Sequence, residues 1–234
     1  MKAIKMVVLD MAGTTVNENN LVYKTVQKSI NAEGFSVSLD EVLLHGAGKE
    51  KHQAITDVLT ACTDAKNITE TAYRIFNSFK GSLEIAYNET EISTFFGMED
   101  FFDLLREHDI KIVLNTGYNY QTANKLMHKL NWQIGNQIDA LITSDDVENG
   151  RPNPDMIQMA MRQFGITDAA TVLKAGDSEI DIVEGKNSGC GITVGVLSGA
   201  HKKEQLEAAS PDYILKDVTE IKSILFFDKL QRKM

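Results

Sequence analysis

Cysteine is almost missing from this chain of 234 residues. Cys62 and Cys190 stand far apart, with neither metal-ligand spacing nor the pattern of a disulfide framework, so a reduced, cytoplasmic setting is expected. The N-terminus lacks the apolar run of a secretory signal, and no stretch is long enough to span a bilayer. An excess of cations is missing too. Lys and Arg number 24 against 33 Asp and Glu, giving a net charge of −9, with the acidic residues scattered along the chain. That balance argues against nonspecific nucleic-acid or anionic-membrane binding. It leaves room for a small anionic substrate, because a few local cations can overcome the mean field. Proline is scarce at three residues, and Pro152 and Pro154 share one loop, which is therefore expected to be held in shape. No internal repeat or low-complexity segment occurs.

What the chain does have is apolar residues, 43% of the total, in short runs. Met6 to Leu9, Ile110 to Leu114, Ala140 to Thr143, Thr171 to Lys174, Ile192 to Val196 and Asp212 to Leu215 read as buried parallel strands. Amphipathic helices separate the later ones. Ala123, Leu126, Met127 and Leu130 repeat at helical spacing, as do Ile157, Ala160, Met161 and Phe164 after Pro154. Alternating strands and helices predict an α/β fold, a doubly wound parallel sheet of Rossmann-like type. From about Asn17 to Glu91 the alternation stops and only helical patterns remain. The expected organisation is an α/β core of residues 1–16 and 92–234, with a helical cap of residues 17–91 inserted into it.

Four short segments stand at or just after strand ends, where open α/β sheets bind ligands. They are Asp10 to Thr15, Asn115 to Tyr118, Asn149 to Pro154, and Gly176 to Asp181. An Asp at the end of the first strand can act as a covalent nucleophile on a phosphoryl group. The Thr116 hydroxyl and the Gly117 N–H can donate to phosphoryl oxygens, and Arg151 supplies a fixed cation with several donors. Asp10 and Asp177 can share a Mg²⁺, and Asp181 can orient Arg151 or a metal-bound water. Taken singly, each residue also fits a helix cap, a turn or a surface ion pair. Together, in this order, the four segments point to phosphoryl chemistry.

The motifs Asp10-x-Ala12-Gly13-Thr14, Asn115-Thr116-Gly117-Tyr118, Gly150-Arg151-Pro152-x-Pro154 and Gly176-Asp177-Ser178-x-x-Asp181 resemble those of the haloacid dehalogenase superfamily. The likeness is closest to its phosphonatase and phosphonatase-like branch. Most of the superfamily carries a second Asp, the general acid–base, where Ala12 stands, and a Lys where Arg151 stands. Tyr118 also follows the phosphonatase pattern. The resemblance implies that the Ala12 carbonyl is a further ligand to Mg²⁺. It also implies a Schiff-base lysine in the cap, three residues after a Gly and three before a His. Gly46, Lys49 and His52 have that spacing, and if the segment opens a helix, Lys49 and His52 share one face.

The resulting expectation is a Mg²⁺-dependent hydrolase of a small phosphorylated metabolite, working through an aspartyl-phosphate on Asp10. Cleavage of the C–P bond of phosphonoacetaldehyde or a related 2-oxo-phosphonate leads. There Asp10, Thr116, Arg151, Lys49 and Asp181 carry the chemistry, while Ala12, Gly117, Tyr118, His52 and Gly46 meet the substrate. An imine on Lys49 would be the electron sink that C–P cleavage needs and would explain why no acid is required at Ala12. One alternative is a small-molecule phosphatase, of the phosphoglycolate phosphatase kind, against which the missing acid counts. Another is an inactive binding or regulatory protein on the same scaffold. The resemblance further implies a homodimer formed through the cap.

Overall fold

A computed structural model describes residues 2–230. Its centre is a six-stranded parallel sheet in the order β5-β4-β1-β6-β7-β8. The strands are β1 (Met6–Leu9), β4 (Lys111–Asn115), β5 (Ala140–Ile142), β6 (Val172–Gly176), β7 (Ile192–Val196) and β8 (Tyr213–Leu215). The chain winds outward from β1 in both directions, so the order reverses at β1. Val7 is in register with Ile112 on one side and Leu173 on the other. The crevice outside the carboxyl end of β1 is therefore the place where this topology leaves room for a ligand.

All four residues of β1 are fully buried, and alternate side chains feed two different cores. Val7 and Leu9 join a large cluster that runs up to Val58 and Phe79, while Met6 and Val8 pack with Val113, Ile157 and Val172. This two-residue alternation is how a strand covered on both faces uses a continuous apolar run. The doubly wound α/β class expected from the sequence is the class observed. The crossover and outer helices are α5 (Met98–Glu107), α6 (Tyr120–Lys129), α7 (Asp155–Gln163), α8 (Glu179–Asn187), α9 (Lys203–Ala208) and α10 (Ile221–Leu230).

Between β1 and α5 the chain forms α1 (Leu21–Ala32), α2 (Leu39–Gly46), α3 (Lys51–Cys62) and α4 (Ile68–Glu89). Ser38 and Glu41 make a reciprocal capping box at the start of α2. A short antiparallel pair, β2 (Val16–Asn17) with β3 (Ser93–Thr94), ties the way into this helical segment to the way out. The sequence reading had no strand at β2 or β3, because two residues carry no readable period. Among the described residues no helix is long and apolar enough to cross a membrane.

One expectation is corrected here. The segment after Gly46 does not open a helix at Lys49. The Glu50 side chain accepts the N–H groups of His52 and Gln53, which fixes Glu50 as the N-cap and Lys51 as the first helical residue. Lys49 thus precedes the helix and shares no helical face with His52.

Candidate active site

Asp10 is set by β1 and by the turn behind it. Its N–H donates to the Ala175 carbonyl at 3.0 Å, and its own carbonyl accepts from the Thr15 hydroxyl at 2.9 Å. Its Oδ1 accepts from Arg151 Nη1 at 2.7 Å. Burial pushes the Asp10 carboxyl up, the Arg151 charge opposes this, and Asp181 adds to it.

Arg151 comes from the loop before α7, where the Arg151–Pro152 peptide is cis. Its side chain is 1% exposed, both terminal nitrogens donate hydrogen bonds, and Nε lies against Glu184 without hydrogen-bond geometry. Besides Asp10 it reaches Asp181 at 3.0 Å, Glu184 at 3.1 Å, and both the carbonyl and the side-chain oxygen of Asn115 at 2.7 Å. The planar guanidinium serves so many partners at once because its donors point in fixed, divergent directions.

Beneath Arg151 lies a second buried cation absent from the sequence reading. Lys174, in the middle of β6, places Nζ 2.6 Å from Asn115 Oδ1, 2.9 Å from Asp181 and 3.2 Å from Glu184. Glu184 was also missed, and the amide of Asn115, which the sequence marks only as a strand-end residue, donates to both Glu184 carboxylate oxygens. The only signal was a Lys inside an apolar strand, with Glu184 one helical turn after Asp181 on α8. Burial alone would raise Asp181, yet Arg151 and Lys174 hold it below the usual carboxylate range. Its other oxygen accepts from the Ser178 hydroxyl at 2.5 Å.

Asp177 has no such compensation. It is buried, it accepts from the Ala200 N–H at 2.5 Å, and burial with the nearby charges of Asp10 and Asp181 drives its carboxyl well above the ordinary range. Oxygens of Asp10, Asp177 and Asp181 lie within 4.8 Å of one another. In all, four buried carboxylates (Asp10, Asp177, Asp181, Glu184) face two buried cations, Arg151 and Lys174. The deficit is two positive charges, and it falls on the side of Asp177. A divalent cation between Asp10 and Asp177 fits this donor set, because a hard ion takes carboxylate and carbonyl oxygens. Asp181 is already held by two cations and a hydroxyl. The backbone at Ala12 lies in the same turn, bridged to Val16.

Thr116, Gly117 and Tyr118 follow β4 and sit beside β1. Thr116 Oγ1 accepts from the Tyr118 N–H at 3.1 Å. Gly117 is covered by the loop between α2 and α3: a Cβ placed there would stand 2.9 Å from the carbonyl oxygens of both Gly48 and Lys49. Tyr118 is buried and its hydroxyl lies 3.1 Å from that of Tyr87 on α4, which in turn donates to the buried carboxylate of Glu18. Glu18, Tyr87 and Tyr23 were not singled out from the sequence.

The remaining expected residues lie in the helical segment. Lys49 is ion-paired with Asp57, both side chains about 30% exposed, and it borders a cavity of about 500 Å³ with Gly117 and Arg151. His52 stacks edge-on against Phe76, with ring centroids 5.5 Å apart. Gly46 is buried where α2 meets α3, and a Cβ there would lie 3.1 Å from that of Ala54. The structure gives Gly46 a packing role. Lys51, by contrast, is only 6% exposed and borders a second cavity of about 530 Å³ with Gly117, Tyr118, Tyr87, Phe76 and Phe79.

Comparisons with known proteins give the chain a family. Residues 7–195 match the family model described as haloacid dehalogenase-like hydrolase. A phosphonoacetaldehyde hydrolase of Latilactobacillus sakei is 28% identical, with 96% of each chain covered. A pyrophosphatase, PpaX, of Bacillus mycoides is also 28% identical, covering 95% of this chain and 97% of its own. Among solved structures, a phosphonoacetaldehyde hydrolase-like protein from Oleispira antarctica superposes with a TM-score of 0.81 at 20% identity, covering 99% of this chain and 94% of its own. A hydrolase from Pseudomonas syringae gives 0.80 at 19%, covering 97% and 98%. These two likenesses show the fold.

Proposed function

Because the chain belongs to the haloacid dehalogenase-like hydrolases, we propose that it hydrolyses a small carbonyl-bearing phosphonate, breaking a C–P bond through a phosphoryl group carried on Asp10. The observation that carries the reading is the pairing of a buried Asp10–Arg151 contact with Ala12. A methyl group stands where an ester-cleaving member needs an acid.

Arg151 holds Oδ1 of Asp10 and so fixes the direction of its other oxygen, which attacks phosphorus. As the C–P bond breaks, its electron pair moves into the substrate's carbonyl side, where an imine serves as sink. Thr116 and the Gly117 N–H face the phosphoryl oxygens as they spread into the transition state. Water then releases phosphate from Asp10. Asp10, Asp177 and the Ala12 carbonyl would hold a Mg²⁺ ion, which would offset the repulsion between a carboxylate nucleophile and an anionic substrate. Asp181 is a positioning residue, holding Arg151 at 3.0 Å. Residues 17–91 act as a cap that covers the site and excludes water. Lys49, on this cap, contacts the substrate from the side of Asp57.

Phosphate release from phosphonoacetaldehyde, with and without Mg²⁺ and in Asp10→Asn, tests the reading. Mg²⁺-dependent release that is lost in the variant is expected. Release from phosphomonoesters or pyrophosphate alone would overturn the C–P step in favour of a phosphatase. The equally similar pyrophosphatase relative supports that second reading.

A further inference from the structure

We propose that Lys51, rather than Lys49, is the amine that forms the imine with the substrate carbonyl. This rests on the carbonyl-phosphonate reading above and adds the identity of the group that makes it work.

The two buried lysines among the described residues make the case by contrast. Lys174 is what a structural buried lysine looks like, with carboxylates at 2.9 and 3.2 Å. Lys51 is 6% exposed yet makes no ion pair among the described residues. Its Nζ donates to the Lys49 carbonyl and lies 5.2 Å from the ring centroid of Tyr118 and 5.5 Å from that of Tyr23. A buried ammonium without a counter-charge is costly, and it persists where function needs it. Lys51 also borders the cavity of about 530 Å³. Phe76, Phe79, Tyr87 and Tyr118 line it on one side, and Gly117, which follows β4 beside β1, lines it as well. Lys49 already has its carboxylate, Asp57, at the outer cavity.

The electrostatics agree. Burial lowers the Lys51 ammonium to about 8, while the fields of Glu50, Asp10 and Glu18 pull it up and that of Arg151 pushes it down. A usable fraction is therefore neutral near neutral pH, and desolvation is the recognised way to make a lysine nucleophilic.

The step balances. The neutral Nζ adds to the carbonyl carbon, water leaves, and the imine nitrogen takes up a proton from solvent, which is given back when the imine is finally hydrolysed. Asp10 attacks phosphorus, the C–P bond breaks, and its electron pair forms the C=C of an enamine while the imine nitrogen becomes neutral. A proton returns to that carbon, and water hydrolyses the resulting imine to free Lys51 and the dephosphonylated carbonyl product.

The test is borohydride trapping of the wild-type protein with Mg²⁺ and phosphonoacetaldehyde, followed by fragment sequencing that separates Lys49 from Lys51. Substrate-dependent label on Lys51 is expected, together with at least a 10³-fold loss of phosphonate turnover and of trapping in Lys51→Arg, which keeps the charge but cannot form an imine. Label on Lys49 with phosphate released would overturn this assignment and leave the proposed function standing. Phosphate released with neither lysine labelled would overturn the amine as sink. No label and no phosphate from the phosphonate would overturn the underlying reading as well. Because the mapping uses wild-type protein, a variant that failed to fold would not obscure the answer.

Discussion

Gly117 lies directly under the backbone of Lys49: a Cβ on it would meet the Lys49 carbonyl oxygen at 2.9 Å, and that of Gly48 at the same distance. The obstacle is backbone, which yields less easily than the tip of a flexible side chain. Gly117→Ala should therefore lift the loop between α2 and α3 off the strand ends. We expect a loss of about 1–3 kcal/mol in stability and a rise in KM larger than the fall in kcat. Thermal melts and steady-state kinetics on the same preparation check both. An unchanged KM would mean that the loop does not cover the bound substrate.

Asp10→Asn keeps the shape of the side chain and removes the attacking charge. Turnover should fall by on the order of 10⁴ or more, as for the loss of other covalent nucleophiles. Acid-quenched wild-type enzyme should carry a phosphoryl group on the peptide containing Asp10. Substantial residual turnover in the variant would exclude covalent catalysis at this residue.

The charge deficit beside Asp177 predicts how the metal couples to folding. Adding Mg²⁺ to chelator-treated protein should raise its melting temperature, because a ligand that binds only the folded state stabilises it. Asp177→Asn removes one of the buried, mutually repelling carboxylates. In the absence of metal it should melt higher than wild type and show no further rise with Mg²⁺. Calorimetry with and without chelator separates the two effects.

Lys51 predicts a pH dependence of stability. Its ammonium is lowered from 10.5 to about 8 on folding, so between those values the unfolded chain binds more protons and stability rises with pH. Below about 8 both states are protonated and the full cost of burying the charge, roughly 3 kcal/mol from the size of the shift, is present. Lys51→Met should therefore be more stable than wild type at pH 7. That advantage should shrink as the pH is raised toward 10. Chemical denaturation across this range measures it, and a constant difference would show that the amine is not perturbed.

Arg151→Lys should cost about 3–5 kcal/mol. A single ammonium cannot serve Asp10, Asp181, Glu184 and Asn115 together, and the carboxylates left behind are fully buried. Urea denaturation quantifies the loss. A smaller loss would mean that Lys174 can take over the abandoned carboxylates.

The parallel strands were legible because a strand buried on both faces is a bare apolar run, as in Met6 to Leu9. Asp10, Asn115 and Asp177 were legible as strand-end residues because parallel strands bring their carboxyl ends to one edge. What the sequence hid has physical causes. Lys174 breaks an apolar strand, and nothing local reveals that Asp181 and Glu184 on another element neutralise it. In the run Lys49-Glu50-Lys51, the two lysines look equivalent. Only the capping bonds from Glu50 to His52 and Gln53 decide which one begins the helix and turns inward. The Glu18–Tyr87–Tyr118 contacts join residues distant in sequence and leave no local pattern.

The pairing of Val16–Asn17 with Ser93–Thr94, braced by the Thr94 hydroxyl on the Thr15 carbonyl at 2.8 Å, brings the two connections to the helical segment side by side. Adjacent paired strands stand about 4.8 Å apart, a gap that a tight two-residue turn can close. At its junction with the core, the intervening chain therefore enters and leaves like a hairpin loop. Residues 18–92 could be swapped for a related insert, or shortened to a turn, without re-registering a strand of the sheet. The junction works as a socket, a single place where the chain leaves the core and rejoins it.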